Sequence, residues 1–199
     1  MNSFEFIQLN DVELDAEMSD VLDRYKALAA DGRVGENHTR VHDYLRWQVV
    51  LDRLGAIDSH LDVGSGVGQL VNGLVLKYSD ADITALDIRK NHRFQQFGEF
   101  HFLEHNLVDP LPRKYKTITC LETIEHIPDP GFDQAVQNLK AATEDRLIVS
   151  VPYREKRPMI ADHHQWFDDE RLVSLFPGAQ ISVAAIGRMV EWALIDWRK

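Results

Sequence analysis

The segment Leu61-Asp62-Val63-Gly64-Ser65-Gly66-Val67-Gly68 places three glycines within five residues, directly after a short apolar run and directly before a helically periodic one. Without Cβ atoms a main chain turns sharply and lets a ligand approach its N–H groups, so this density reads as a ligand-holding turn. A dinucleotide fingerprint requires a further glycine at its sixth position, where this chain has Gln69, and a nicotinamide or flavin dinucleotide is therefore disfavoured. A P-loop is excluded, because no Gly-Lys-Ser or Gly-Lys-Thr follows. Asp87, 19 residues beyond Gly68, closes a second apolar run, where a carboxylate can accept both hydroxyls of a ribose. A ribose carried without a pyrophosphate fits both observations.

The elements that must position these residues follow from periodicity. Apolar residues recur at helical spacing from Leu14 through Met18, Tyr25 and Leu28, with Asp31-Gly32 as a stop. A second set, Val41, Tyr44, Trp47, Leu51 and Leu54, predicts a helix from about Asn37 or His38 to Leu54, ended by Gly55. Asp31 to Glu36 is a polar hinge between them. Five short strands are expected at His60 to Val63, Ile83 to Ile88, His101 to His105, Thr117 to Leu121 and Leu147 to Val151. Helices are expected at Gly66 to Tyr78, Arg89 to Phe97, Phe132 to Ala142 and Asp168 to Phe176. Strand alternating with helix means a parallel sheet covered on both faces. Gln180 to Ile186 and Met189 to Trp197, separated only by Gly187 and Arg188, predict a C-terminal antiparallel hairpin.

At 199 residues, 44 % hydrophobic and 27 % charged, the chain suits one globular domain. No apolar run has membrane-spanning length, the N-terminus lacks a secretory pattern, and the single Cys120 cannot form an internal disulfide, so a cytoplasmic protein is expected. The formal charge is −10, and Met1 to Asp23 holds seven acids with no Lys or Arg. A phosphate backbone would be repelled, which disfavours nucleic acid as partner and favours a small molecule.

The glycine turn, Asp87 and the segment Cys120-Leu121-Glu122-Thr123-Ile124-Glu125-His126-Ile127-Pro128-Asp129-Pro130 together resemble the class I S-adenosylmethionine-dependent methyltransferases, in their ubiquinone-biosynthesis-type branch. The resemblance runs from about Leu45 to Trp197. It implies an α/β, Rossmann-like fold with a mostly parallel seven-stranded sheet, a C-terminal antiparallel hairpin and added N-terminal helices. Residues 1–36 would form a helical lid segment and 37–199 the methyltransferase domain. The implied cofactor is S-adenosyl-L-methionine, with Asp62, Gly64, Ser65, Gly66 and Gly68 around its methionine half and Asp87 on its ribose. Ile88 would lie against the adenine, Asn106 and Leu107 would stand where the family often has an adenine-binding Asp, and Leu121 and Glu122 would complete the floor.

Methyl transfer from a sulfonium is a direct displacement, so the protein mainly aligns the acceptor and excludes water. For a hydroxyl or protonated amine a base helps, and His126, His163 and His164 are the catalytic candidates. The expected acceptor is a small molecule, methylated at oxygen rather than nitrogen. Its pocket would draw on Arg40, Tyr44 and Trp47 and on the loop Tyr153 to Phe167, which carries Arg154, Lys156, Arg157 and Trp166. Tyr44 and Trp47 also fall on an apolar stripe, and Cys120 inside an apolar strand reads as core. No resident metal is expected. One alternative sets Glu122, Glu125 and His126 with His163 or His164 around a divalent metal, as in RNA terminal 2′-O-methyltransferases; another is an inactive methyltransferase-fold partner subunit.

Overall fold

A computed structural model describes residues 4–156, 159–186 and 190–199. Arg157 and the expected hairpin turn at Gly187 and Arg188, with Met189, lie outside the described residues. The strands are β1 (Glu5–Gln8), β2 (Ser59–Val63), β3 (Asp82–Asp87), β4 (His101–Glu104), β5 (Tyr115–Leu121), β6 (Thr143–Pro152), β7 (Gln180–Ile186) and β8 (Val190–Arg198). They form one sheet in the order β1-β7-β8-β6-β5-β2-β3-β4. β8 runs antiparallel to β6 and β7, and the remaining pairs are parallel. All five expected central strands and the reversed C-terminal strand are therefore present.

Both faces of the sheet are buried, so the central strands carry apolar residues on both sides, interrupted by the buried polar residues His60, Asp62, Thr84, Thr117 and Thr119. Along β6, Leu147, Val149 and Val151 join Leu61, Leu86 and Ile118 in one cluster, while Ile148 joins Ala85 and Leu194 in the other. The second of these clusters is closed by α1 (Ala16–Ala30), α2 (Val41–Leu54) and α3 (Gln69–Lys77); the first is closed by α4 (Gly131–Ala142) and α5 (Asp169–Leu175). Asp15 caps α1 by accepting from the Met18 amide, and Asp168 caps α5 by accepting from the Arg171 amide, each at 2.9 Å. The Tyr25 hydroxyl of α1 donates to the Val67 carbonyl in the glycine turn at 2.7 Å. The N-terminal helix is thus tied directly to the turn.

Three expectations change. An eighth strand, β1, pairs with β7 in the register Glu5 to Ser182 through Gln8 to Ala185. A 3₁₀ turn at Glu36–Thr39 precedes α2, which starts at Val41, and α3 starts only at Gln69 because Gly66 to Gly68 form the turn itself. The helix expected at Arg89 to Phe97 is absent. There the Asn91 side chain accepts from the Arg93 amide, while Asn72 accepts from the Phe97 amide and donates to the Gln95 carbonyl. Side chains take backbone groups that a helical ladder would have used.

Candidate active site

The C-terminal ends of β2, β3 and β5 converge on the glycine turn. The Gly64 and Ser65 amides donate to the Leu86 carbonyl at 2.8 and 3.1 Å, tying the turn to β3. Asp87 then accepts from the Gly66 amide at 3.0 Å and from the Ile88 amide at 2.8 Å. One carboxylate therefore shapes the turn while its remaining lone pairs stay available. Gly64 is required by close approach, since a Cβ there would lie 2.0 Å from Thr123 Oγ1.

Two cavities meet at this point. The first, of about 310 Å³, is lined by Asp87, Ile88, Asn106, Leu107, Thr123 and His126, among others. The second, of about 120 Å³, is lined by Arg46, Trp47, Asp62, Ser65, Gly66, Gln69 and Leu121. Gly64 and Glu122 border both. A wider depression of about 640 Å³ lies between the C-terminal ends of α2 and α3, at the other end of the strands. Ligands of open α/β sheets sit beyond the carboxyl ends of the strands, so the paired cavities form the site.

The smaller cavity contains polar atoms that protein does not satisfy: Ser65 Oγ and Arg46 Nε are buried without partners. Arg46 lies 3.4 Å from Glu122 and 3.3 Å from Asp43, and stacks over Trp192 at 4.7 Å. Burial pushes the Asp62 carboxyl up to about 7; the neighbouring Asp87 charge adds to this, and a hydrogen bond from Thr119 opposes it. In the larger cavity Ile88 is 67 % exposed, an apolar side chain left open beside Asp87. Asn106 Oδ1 accepts from the Val108 amide at 3.1 Å, which uses one of its two lone pairs.

His126 borders the larger cavity, with Nδ1 3.1 Å from the Asp162 carbonyl oxygen. The His163 ring stands edge-on to it at 4.9 Å and bonds Glu155 Oε2 through Nδ1 at 2.8 Å. Burial, then the nearby Glu122, holds the Glu125 carboxyl well above the usual carboxylate range; neither of its oxygens has a hydrogen-bond partner, and Oε1 lies 3.9 Å from His126 Nε2. Ligand atoms of Glu125, His126 and His163 lie within 4.8 Å of one another, close enough to hold a metal ion. His164 is exposed, and its amide rather than its ring meets this group, donating to the Glu125 carbonyl at 2.8 Å.

The structure also adds residues that periodicity does not single out. Arg46 is buried, with its guanidinium over Trp192, and Gln69 Nε2 donates to the His38 carbonyl at 2.8 Å. Tyr44 is core and donates to the same carbonyl at 2.8 Å, whereas Trp47 faces the smaller cavity. Cys120 is buried, as expected of a core position.

A family described as "Methyltransferase domain" matches residues 13–185. The chain belongs to this methyltransferase-domain family. S-adenosyl-L-methionine is the cofactor of such methyltransferases. A ubiquinone biosynthesis O-methyltransferase of Alkalilimnicola ehrlichii is 32 % identical over 107 residues, 46 % of this chain and 42 % of that protein. The matched region thus spans less than half of that relative. In fold the chain is similar to the 1,6-didemethyltoxoflavin-N1-methyltransferase of Burkholderia thailandensis, solved with bound 1,6-didemethyltoxoflavin and S-adenosylhomocysteine. There the TM-score is 0.62 at 18 % identity, over 95 % of this chain and 92 % of that one. Magnesium protoporphyrin IX methyltransferase from Synechocystis PCC 6803, solved with S-adenosylhomocysteine, gives 0.61 at 18 % identity, over 91 % and 95 % of the two chains. No helix among the described residues is long and apolar enough to cross a membrane.

Proposed function

We propose that this methyltransferase moves the methyl group of S-adenosylmethionine to an oxygen of a small acceptor. The observation that carries the reading is the pair of abutting cavities, one apolar-walled beside a carboxylate and one holding unsatisfied polar atoms. Adenosine joined to a charged amino acid has the same division. In the larger cavity Asp87 accepts the ribose hydroxyls, Ile88 and Leu107 flank the adenine, and the free lone pair of Asn106 faces its amino group. In the smaller one Asp62 takes the α-ammonium, Arg46 takes the carboxylate, and the Gly64-Ser65-Gly66 backbone with Gly68 behind it leaves room for the chain between. Leu121 and Glu122 form the floor at the junction.

The sulfonium then lies between the cavities, facing His126. An acceptor hydroxyl attacks the methyl carbon, the S–CH₃ bond breaks with its electron pair going to sulfur, and the acceptor's proton passes to an imidazole. His126 and His163 are the bases this reading prefers, with His164 as a rim residue. Support for oxygen comes from the naming of the curated relatives. The acceptor mouth is drawn from the described part of Tyr153 to Phe167, and the described residues 4–36 cover the site from the N-terminal side, with α1 fixed through Met18, Val21 and Tyr25.

The test is calorimetric titration with S-adenosylhomocysteine, followed by a screen of hydroxylated acceptors. Absence of binding and a stable heteromeric partner would instead favour the inactive-subunit reading. With an acceptor in hand, His126→Ala and His163→Ala lower kcat by about 10²-fold or more and leave the cofactor Kd nearly unchanged. Equal turnover in both variants removes them from the mechanism.

A second reading is favoured by Glu125, whose buried oxygens accept no hydrogen bond and lie beside two imidazoles. Glu125, His126 and His163 fit a divalent cation, which would act as a Lewis acid on an acceptor hydroxyl. A terminal ribose would then be admissible as acceptor, against the repulsion expected from a net charge of −10. Metal content of the purified protein separates the readings: about one equivalent, lost in Glu125→Gln, supports the cation, whereas full turnover of metal-free protein leaves the imidazole base.

A further inference from the structure

We propose that His60 and Thr119 are positioning residues for the cofactor. They fix which oxygen of Asp62 faces the smaller cavity, and a proton competes with the cofactor's ammonium group for that oxygen. This rests on the reading that the cavity takes the methionine end of S-adenosylmethionine.

The geometry is a buried chain of four side chains crossing from β2 to β5. Thr119 Oγ1 donates to Asp62 Oδ1 at 2.9 Å. A hydroxyl has one proton, so toward His60 Nε2, also at 2.9 Å, Thr119 can only accept, and the imidazole carries its hydrogen on Nε2. The neutral ring then offers a lone pair at Nδ1, and Thr117 Oγ1 gives its one proton there, at 2.7 Å, rather than to the Ser59 carbonyl at 3.4 Å. His60 and Thr119 are fully buried, and Asp62 and Thr117 nearly so. Burial holds the imidazole down to about 3, so the ring stays neutral and the direction of each bond is set. Every group in the chain is satisfied except Asp62 Oδ2. Thr119 is the one hydrogen-bond partner of that carboxyl among the described residues.

With Oδ1 committed to the Thr119 hydroxyl, a proton on Asp62 resides on Oδ2, the atom left for a ligand. The charged and titratable groups around it are His60 on β2, Asp87 on β3, Cys120 on β5, and Arg46 of α2 and Glu122, which line the same cavity. Near neutral pH a part of the empty protein carries that proton. When an ammonium group arrives, the Asp62 O–H bond breaks, its proton goes to solvent, and the carboxylate pairs with the ammonium. Cofactor affinity therefore rises as pH rises through the Asp62 titration. It falls again only where the ligand's own α-amino group loses its proton, at a pH above the Asp62 titration.

Titration calorimetry with S-adenosylhomocysteine, in two buffers of different ionisation enthalpy, reads this directly. At about pH 7 wild-type protein releases about half a proton per ligand, as follows from an Asp62 value of about 7. 5′-Methylthioadenosine, which has the adenosine but no amino-acid end, binds without release. Thr119→Val weakens S-adenosylhomocysteine by about tenfold and moves the rise in affinity to higher pH, leaving 5′-methylthioadenosine unaffected. Thr119→Ser restores the hydroxyl and the wild-type profile, and His60→Leu shifts the profile in the same direction as Thr119→Val. Binding without proton release, or a Thr119→Val profile equal to wild type, overturns this proposal and leaves the cofactor reading intact. No binding by folded wild-type protein overturns the cofactor reading, and the proposal with it.

Discussion

Asp87→Ala is expected to bind S-adenosylhomocysteine at least about 100-fold more weakly than wild type, because the proposed reading gives this carboxylate two charge-assisted bonds to the ribose, each worth about 1.5–3 kcal/mol. The carboxylate has a second duty. It receives the Gly66 amide at 3.0 Å and the Ile88 amide at 2.8 Å, so its removal also loosens the turn against which the ligand lies. Asp87→Asn keeps one acceptor oxygen and gives an intermediate loss. Calorimetry on both variants, with thermal melts to show that they fold, provides the measurement. An affinity within about threefold of wild type in Asp87→Ala would place the ribose elsewhere.

The second large effect is expected at Gly68. Its φ is +93°, and a Cβ built there would lie 2.6 Å from the Gln95 backbone carbonyl. Gly68→Ala therefore combines left-handed strain of about 1–2 kcal/mol with a clash that only movement of the 91–97 loop relieves, for a total of about 2–4 kcal/mol. In a chain of this size that lowers Tm by about 5–15 °C. Gly32→Ala is the control: φ is +70°, yet nothing lies within 4 Å of the added carbon, so only the strain is felt. Melting curves that drop equally for the two variants would mean that the Gln95 approach carries no weight.

The parts of the fold that could be read from the residues are those set by local signals. β2, β3 and β5 are legible as short, largely apolar or β-branched segments between turn signals, and Gly64 to Gly68 because glycine density is itself the requirement of the turn. β1 could not be read in this way. Its four residues pair with Ser182 to Ala185, at the far end of the chain, and two of them are exposed. The segment Arg89 to Phe97 has helix-compatible residues, but Asn72 on α3 claims its backbone groups from outside. The candidate site divides likewise. Its glycines, Asp62 and Asp87 lie at strand ends, whereas Arg46 is defined only by what α2 packs against. The pairing of His126 with His163 depends on a loop folding back over more than thirty residues, beyond the reach of spacing arguments.

The hydrogen bond from Gln69 to the His38 carbonyl has a consequence for selectivity. A side chain stands where a bare backbone would make way for a diphosphate, and it is fastened to the opposite bank rather than free to swing aside. A nucleotide bearing two phosphates is therefore expected to bind far more weakly than S-adenosylhomocysteine, and the same bond anchors the approach to α2.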